Sequence, residues 1–177
     1  LQDARTYNII GCVEPQAHGK TDGWHDAAFF NMCRPLELVF SNGMDGGEQV
    51  GPRTGEISDF ATFDDFFNAY KEQMNYFIKL LVNADNSIDV AHAERCPLPL
   101  QSCMIDDCIG KGKSLQEGGA IYNFTGPQGF GIANVADSML AIKQLVYDEK
   151  KLTLADFKDA LDNNFGHGFS IQKCTEV

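Results

Sequence analysis

The chain has 177 residues, of which 44% are hydrophobic and 22% charged, and this composition is typical of a folded globular protein rather than a disordered one. The formal net charge is −11, from 25 acidic and 14 basic residues, and the basic residues form no stripe that could bind phosphates, which argues against a nucleic-acid partner. No run approaches the roughly 18 to 20 apolar residues of a membrane-spanning helix, so we expect no membrane span and a cytoplasmic location.

The six cysteines are expected to be reduced thiols, because a chain of this size and apolar content needs no disulfide framework. The closest pair, Cys103 and Cys108, has no histidine near it that could complete a zinc site. We therefore expect no metal site.

The beginning of the chain is predicted to form a strand, a loop and a helix. Residues 6–13 are rich in β-branched and aromatic side chains, which favours a buried strand, and Gly11 marks a bend that places Cys12 near a strand end or loop tip. Residues 15–23 have the composition of an irregular loop. Apolar side chains at helical spacing predict a helix over residues 24–40 that is interrupted by a proline.

The middle of the chain is predicted to be a loop followed by a long helix. Residues 41–55 hold five glycines and are expected on the surface. Thr62 and Asp65 have the spacing of a capping box, and apolar side chains repeat every three or four residues from 63 to 81, so the stripe is assigned to the core. Another helix is expected over residues 100–109.

The last third is predicted to contain one strand and two helices. Residues 120–124 favour a short buried strand that runs into the turn T-G-P-Q-G, and residues 133–147 favour a helix. A final helix over residues 153–164 begins with a Thr-x-x-Asp cap. Strands that open into glycine-rich turns and then helices indicate a barrel-like or layered α/β fold.

Cys12 and Glu14 are the residues whose placement suggests chemistry. A cysteine on a strand is most often a small hydrophobic residue, so its neighbours decide its role. Side chains two apart on an extended strand share a face, which would bring a thiol and a carboxylate to one small volume. A nearby carboxylate favours the protonated thiol, which is a poor nucleophile but a usable hydrogen-atom donor. The pair suits one-electron chemistry at sulfur and proton transfer at the carboxylate.

A thiolate enzyme without radical chemistry is the alternative. It requires a histidine partner for Cys12, and the candidates are His18, His25, His92 and His167.

Two runs of the sequence resemble the glycyl radical enzyme family. The first is G-C-V-E-P-Q with G-K-T-D-G-W-H-D-A-A-F-F-N, within residues 11–31, and the second is G-G-A-I-Y-N-F-T-G-P-Q-G-F-G-I-A-N-V-A-D-S, residues 118–138. The match continues in order from about residue 6 to residue 165. The resemblance implies that residues 1–165 are part of the ten-stranded α/β barrel of these enzymes, with a finger loop that carries the catalytic cysteine. Residues 166–177 would be a divergent tail.

The resemblance also assigns roles to individual residues. It implies that Cys12 forms the thiyl radical and that Glu14 is the general base or acid. Asp26 falls where glycerol and diol dehydratases of the family place a hydroxyl-binding carboxylate, although a helix N-terminal position would also suit it. His25, Trp24 and Phe29 are candidates for substrate contact, with core packing as the more common place for such rings.

The chain departs from the family pattern in two places. The pyruvate formate-lyase branch has two adjacent cysteines at the loop tip, whereas Val13 follows Cys12 here, which disfavours acyl transfer from pyruvate. The family's radical glycine lies in an Arg-Val-x-Gly-Tyr segment, and neither Gly166 nor Gly168 lies in such a run. We expect the chain to be a fragment of a longer enzyme. The fragment carries no radical glycine and is expected to be inactive alone.

The Cys-x-Glu pattern implies a lyase that removes hydrogen next to a hydroxyl-bearing carbon and expels a neighbouring group. Isethionate sulfite-lyase is the first choice, on the likeness of N-M-C-R-P-L-E-L-V-F-S-N-G-M and H-A-E-R-C-P-L-P-L to those enzymes. The alternatives are glycerol or propane-1,2-diol dehydratase, choline trimethylamine-lyase and, from another class, an inactive paralogue or docking subunit.

The resemblance implies partners for the complete enzyme rather than a cofactor bound by this segment. An activating enzyme with an iron–sulfur cluster and S-adenosylmethionine would install the glycyl radical. The substrate would be a small hydroxylated molecule and the full-length protein a homodimer. A bacterial microcompartment is the alternative to a dispersed cytoplasmic location.

Overall fold

A computed structural model of the protein describes residues 2–12 and 14–165. The described residues divide into two compact units, one within residues 2–30 and 80–128 and the other within residues 31–79 and 129–165. The tail predicted for residues 166–177 lies outside the described residues, and so do Gly166, His167 and Gly168.

The first unit opens with a short helix and a β-hairpin. Helix α1 spans Gln2–Thr6, and strands β1 (Tyr7–Ile10) and β2 (Glu14–Ala17) pair antiparallel. The turn between them begins at Gly11, whose φ of +63° lies in the left-handed region that glycine adopts without steric cost. Of the buried strand predicted over residues 6–13, only β1 is present, because the chain reverses direction at Gly11 instead of remaining extended. Its predicted burial is wrong, since all four residues of β1 are exposed.

A parallel pair of strands follows, formed by β3 (Thr21–Trp24) and β7 (Tyr122–Thr125). The loop predicted over residues 15–23 is confirmed only at residues 18–20, which form a turn. It is wrong on both sides of that turn, because β2 pairs within the hairpin and β3 pairs with the distant strand β7, in the register Thr21 with Tyr122. The strand predicted at residues 120–124 is present as β7 with shifted bounds, but its predicted burial is wrong, because all four residues of β7 are exposed.

Short helices complete the first unit. Helix α4 spans Pro99–Ser102 and α5 spans Cys108–Lys111, with a 3₁₀ turn at Leu115–Glu117. The single helix predicted over residues 100–109 is wrong: Asp107 has a φ of +80°, which interrupts helical geometry. Cys108, Leu115 and Ala120 form a small buried cluster beneath these turns.

The chain passes between the units within β4 (Phe29–Asn31), within β8 (Gln128–Phe130) and within the long helix α3 (Phe63–Arg95). The second unit also contains α2 (Cys33–Phe40), the two-residue strands β5 (Met44–Asp45) and β6 (Glu48–Gln49), and a 3₁₀ turn at Ile57–Asp59. Helix α6 (Ile132–Ile142) continues as a π-helix over Lys143–Asp148, and α7 spans Leu154–Asp162.

Helix predictions in the second unit succeed where a local capping signal is present. Thr62 and Asp65 exchange hydrogen bonds at the start of α3, and Thr153 and Asp156 do the same at the start of α7. The helix predicted over residues 24–40 is wrong in its first half, where β3 and β4 lie. Its proline falls in the first turn of α2, where its missing N–H costs nothing.

The main hydrophobic core lies in the second unit and joins α2, α3, α6 and α7. Its buried members are Leu36, Val39, Phe60, Phe66, Ala69, Tyr70, Val135, Met139, Ile142 and Leu154. The described chain is thus mixed α/β with a parallel strand pair, as the sequence predicts. Among its helices, none combines the length and the apolar character that crossing a membrane requires.

Candidate active site

Cys12 lies at the tip of the β1–β2 hairpin as an exposed free thiol. Glu14, the first residue of β2, is half-buried and folds back over the turn: a Cβ atom added to Gly11 would lie 2.5 Å from Glu14 Oε2. The carboxylate therefore rests against the backbone of the residue that precedes the cysteine. The tight turn produces this proximity, whereas the extended strand assumed from the sequence does not exist there.

A cavity of about 620 Å³ in the first unit borders the hairpin. Its walls include Gly11 and Glu14 from the hairpin, Trp24 at the end of β3, and His25 and Asp26 immediately after β3. The hairpin and the end of the parallel strand pair thus contribute side chains to one space. This position agrees with the tendency of ligand sites to lie at the carboxyl ends of parallel strands.

Asp26 belongs to the turn between β3 and β4 and is held from the opposite strand end. The side-chain amide of Gln128 donates hydrogen bonds through Nε2 to Asp26 Oδ1 and, at 3.2 Å, to the carbonyl oxygen of His25. The backbone N–H of Gln128 donates to the carbonyl of Ala28 at 2.8 Å. One residue of β8, Gln128, therefore forms three hydrogen bonds to the turn that carries Asp26.

His25 presents an unsatisfied nitrogen. Its ring lies beside Phe124, with centroids 5.9 Å apart, and its Nε2 atom is buried without a hydrogen-bond partner. The ring fits only because Gly23 has no side chain, since a Cβ atom at that position would collide with Nε2. A buried polar atom without a partner is costly unless a ligand or water satisfies it, which makes this nitrogen a candidate contact for a substrate hydroxyl.

Further polar groups surround the cavity at Asp22 and His92. The ring of His92 lies 4.2 Å from that of Trp24, centroid to centroid. Burial, and then the nearby charge of Asp89, raise the pKa of the Asp22 carboxyl. Asp89 itself accepts a hydrogen bond from the Thr125 hydroxyl at 3.1 Å.

Among the residues predicted from the sequence, the structure brings Glu14, Trp24, His25 and Asp26 to the cavity wall. Cys12 occupies the adjoining hairpin tip and is not itself part of that wall. Phe29 is 68% exposed and does not contact the cavity. The roles assigned to these residues remain predictions.

Sequence reasoning missed Asp22 and Gln128, and it considered His92 only as a possible partner of Cys12, not as a cavity residue beside Trp24. The run T-G-P-Q-G, which contains Gln128, was recognised as part of a motif, but no local pattern shows that its amide meets Asp26. The histidine contact that a thiolate enzyme requires at Cys12 is not present among residues 2–12 and 14–165, which include His18, His25 and His92, whereas His167 lies outside the described residues.

A family model described as pyruvate formate lyase-like matches residues 1–175. Among curated relatives, (2S)-3-sulfopropanediol dehydratase of Klebsiella oxytoca is 42% identical over 170 residues, which are 94% of this chain and 21% of that protein. Isethionate sulfite-lyase of Desulfovibrio desulfuricans is 30% identical over 173 residues, which are 93% of this chain and 20% of that protein. The chain therefore spans about one fifth of the length of these relatives.

Solved structures match the fold closely. A solved structure from a study of 1,2-propanediol dehydration in Roseburia inulinivorans superposes with a TM-score of 0.91 at 63% sequence identity, and the match covers 97% of this chain and 22% of that one. A glycerol-bound B12-independent glycerol dehydratase from Clostridium butyricum has a TM-score of 0.89 and 58% identity, covering 92% and 21%. The predicted fold class is confirmed, because the described α/β structure corresponds to a segment of these enzyme barrels.

Proposed function

Because the chain belongs to the pyruvate formate lyase-like family of glycyl radical enzymes, we propose that it carries the hydrogen-abstracting thiol and the proton-transferring carboxylate of a dehydratase for small neutral vicinal diols. Identity of 63% and 58% to the propanediol and glycerol systems supports this substrate class. The isethionate sulfite-lyase favoured by the sequence analysis, to which the chain is 30% identical, becomes an alternative, together with a dehydratase of a sulfonated diol like the relative that is 42% identical.

The charge of the cavity is the observation that carries the choice of a neutral substrate. Three carboxylates, Glu14, Asp22 and Asp26, contribute to its wall, and the described residues supply no lysine or arginine there. A sulfonate such as isethionate brings a negative charge that these groups would repel, and like charges in a partly buried site cost binding energy. A diol brings hydroxyl groups that carboxylates and a histidine nitrogen can bind without a charge penalty.

The reaction divides between Cys12 and Glu14. Transfer of the thiol hydrogen to an external protein radical leaves a thiyl radical, which removes a hydrogen atom from the substrate carbon that bears one hydroxyl. Glu14 accepts the proton of that hydroxyl, and the neighbouring hydroxyl leaves with a returned proton as water. The product radical then takes back the thiol hydrogen, so the net change is a diol converted to an aldehyde and water.

Asp26 and His25 would orient the substrate. Asp26 has a carboxylate oxygen available as an acceptor for a hydroxyl, and the buried Nε2 of His25 provides a second polar contact. Trp24 forms part of the wall and limits the space available to the carbon chain. Fixed contacts of this kind hold the reacting carbon near the sulfur, which is where orientation contributes to rate.

The complete protein would require a radical-installing partner, an activating enzyme with an iron–sulfur cluster and S-adenosylmethionine, and would act as a homodimer. These features belong to the proposal for the whole enzyme. The test therefore uses the full-length gene product, expressed anaerobically with the activating enzyme. Electron paramagnetic resonance measures the radical, and product assays cover propane-1,2-diol, glycerol, (2S)-3-sulfopropanediol, isethionate and choline.

Two variants and two matched controls separate chemistry from folding. Cys12→Ser should abolish turnover, and Glu14→Gln should lower it by about 10²- to 10⁴-fold with the radical retained. Cys103→Ser and Glu48→Gln change exposed residues outside the cavity and should leave turnover unchanged. Sulfite release from isethionate without diol turnover would reject the diol assignment. A radical without any product, or no radical at all, would favour a docking subunit or inactive paralogue.

A further inference from the structure

Gln128 connects two segments that are far apart in the sequence but adjacent in the first unit. Strands β3 and β7 run parallel, so their carboxyl ends meet at one edge, with Asp26 just beyond β3 and Gln128 just beyond β7. The pairing continues past both strands, because the N–H of Gly126 donates to the carbonyl of Trp24 at 2.7 Å. The glutamine amide thereby arrives beside the Asp26 carboxylate.

The chemistry of the two partners fixes the orientation of the Gln128 amide. A carboxylate and a backbone carbonyl can only accept hydrogen bonds, and both Asp26 Oδ1 and the His25 carbonyl face the same end of the side chain. The NH₂ group must therefore point toward them, because the reverse orientation would set one oxygen against two others. Within the described chain, no hydrogen bond engages the second carboxylate oxygen, Oδ2.

We infer that Gln128 is a positioning residue for the diol site: its amide holds Asp26 Oδ1 so that Oδ2 is presented to a substrate hydroxyl. This inference rests on the proposed function and adds a residue that does not itself touch the substrate. The additional bond from Nε2 to the His25 carbonyl sets the path of the same turn, so the carboxylate and the turn are fixed together. A side chain fixed before binding loses less freedom when the substrate arrives.

Equilibrium binding tests the inference without any need for the radical. Calorimetric titration of the full-length, non-activated protein with propane-1,2-diol gives the dissociation constants of the wild-type protein and of the Gln128→Ala variant. We expect an increase of about tenfold or more, which corresponds to loss of one hydrogen bond to a charged group. Gln101→Ala is the control, because Gln101 is exposed on α4 and lies outside the cavity.

Two further variants distinguish positioning from a general structural effect. In Gln128→Glu, the dissociation constant of the diol should be high at neutral pH, because two carboxylates then face each other. In mild acid it should fall toward the wild-type value, because a protonated glutamate can donate a hydrogen bond to Asp26. Glu14, Asp22, His25 and His92 also face this cavity, so the measured quantity is the ratio of variant to unchanged protein at each pH. In an Asp26→Asn background, Gln128→Ala should add little.

The outcomes are separable. Diol binding that is weakened by Asp26→Asn but stays within about twofold in Gln128→Ala would overturn the inference and leave the proposed function standing. Full additivity of the two substitutions would also overturn it, because independent losses exclude action through Asp26. If the unchanged protein binds no diol, the proposed function fails and the inference fails with it.

Discussion

Substitution of Gly11 by alanine should reduce activity far more than stability. Gly11 has a φ of +63°, and its position before Cys12 places it beneath the Glu14 carboxylate. An alanine Cβ would lie 2.5 Å from Glu14 Oε2, 2.9 Å from Cδ and 3.0 Å from Oε1. All three atoms belong to the far end of a flexible side chain, so the carboxylate can move away while the hairpin remains folded.

The two expected costs have different sizes. The left-handed backbone costs an alanine about 1–2 kcal/mol relative to glycine. Restoring ordinary van der Waals contact, about 3.5–4 Å between carbon atoms, requires the Glu14 carboxylate to move by roughly 1 Å. Because a misplacement of that size can lower a rate by about a hundredfold, the loss of turnover should exceed what the change in stability explains.

Gly46→Ala is the matched control for the backbone cost. Gly46 also has a positive φ, of +56°, but a Cβ atom there would meet no atom within 4 Å. Thermal denaturation of the full-length proteins should therefore show similar losses of stability for the two variants. Diol turnover per radical, measured anaerobically, should fall only in Gly11→Ala.

Equal turnover in the two alanine variants would refute this reasoning, because it would mean that the position of the Glu14 carboxylate does not limit the reaction. A Gly11→Asn variant sharpens the test. Asparagine tolerates the left-handed conformation better than alanine does, yet it keeps the side chain that displaces Glu14. It should regain stability without regaining activity.

Three further substitutions test the packing and the charges. Phe66→Ala should lower the free energy of unfolding, measured by denaturant titration, by about 3–5 kcal/mol, because the ring is fully buried. Phe67 is 37% exposed, so a loss in Phe66→Ala no greater than that in Phe67→Ala would contradict the assigned core. Hydrogen bonds from Thr62 lower the pKa of Asp65, so Thr62→Ala should destabilise the protein most at neutral pH and less as pH falls through that lowered pKa. Unfolding followed by circular dichroism tests this, and a loss of stability that grows in acid would contradict the prediction. Burial and a neighbouring carboxylate raise the pKa of Asp22, so the charged form of this residue destabilises the folded protein at neutral pH. Asp22→Asn should therefore raise the denaturation temperature at neutral pH, and this gain should vanish below the ordinary aspartate pKa. A gain confined to acid would refute this prediction.

Elements with complete local signals could be predicted from the sequence. The start of α3 follows from Thr62 and Asp65, and that of α7 from Thr153 and Asp156, because each cap is made by residues three apart. Helical periodicity between the caps and the following breakers needs no information from elsewhere in the chain. The same reasoning located Cys12 near a loop tip, since a glycine precedes it.

Elements that depend on distant partners and carry no strand signal of their own could not be predicted. Residues 21–24 contain a glycine and an aspartate, both unfavourable in strands, and they become β3 only because β7 supplies a parallel partner. The apolar spacing after Trp24 then imitates a helix, although the first helical residue is Cys33. Asp26 and Gln128 are 102 positions apart in the sequence, and no local sequence pattern indicates that they form a hydrogen bond.

The glycines around the candidate site explain why its geometry is difficult to predict from the residues that carry its chemistry. A side chain on Gly11 would displace the Glu14 carboxylate, a side chain on Gly23 would collide with His25 Nε2, and a Cβ atom on Gly126 would lie 3.2 Å from His25 Cα. The polar groups occupy their positions because these three side chains are missing. Substitutions at the glycines should consequently impair catalysis before they impair folding, whereas substitutions in the buried core of the second unit should act in the opposite order.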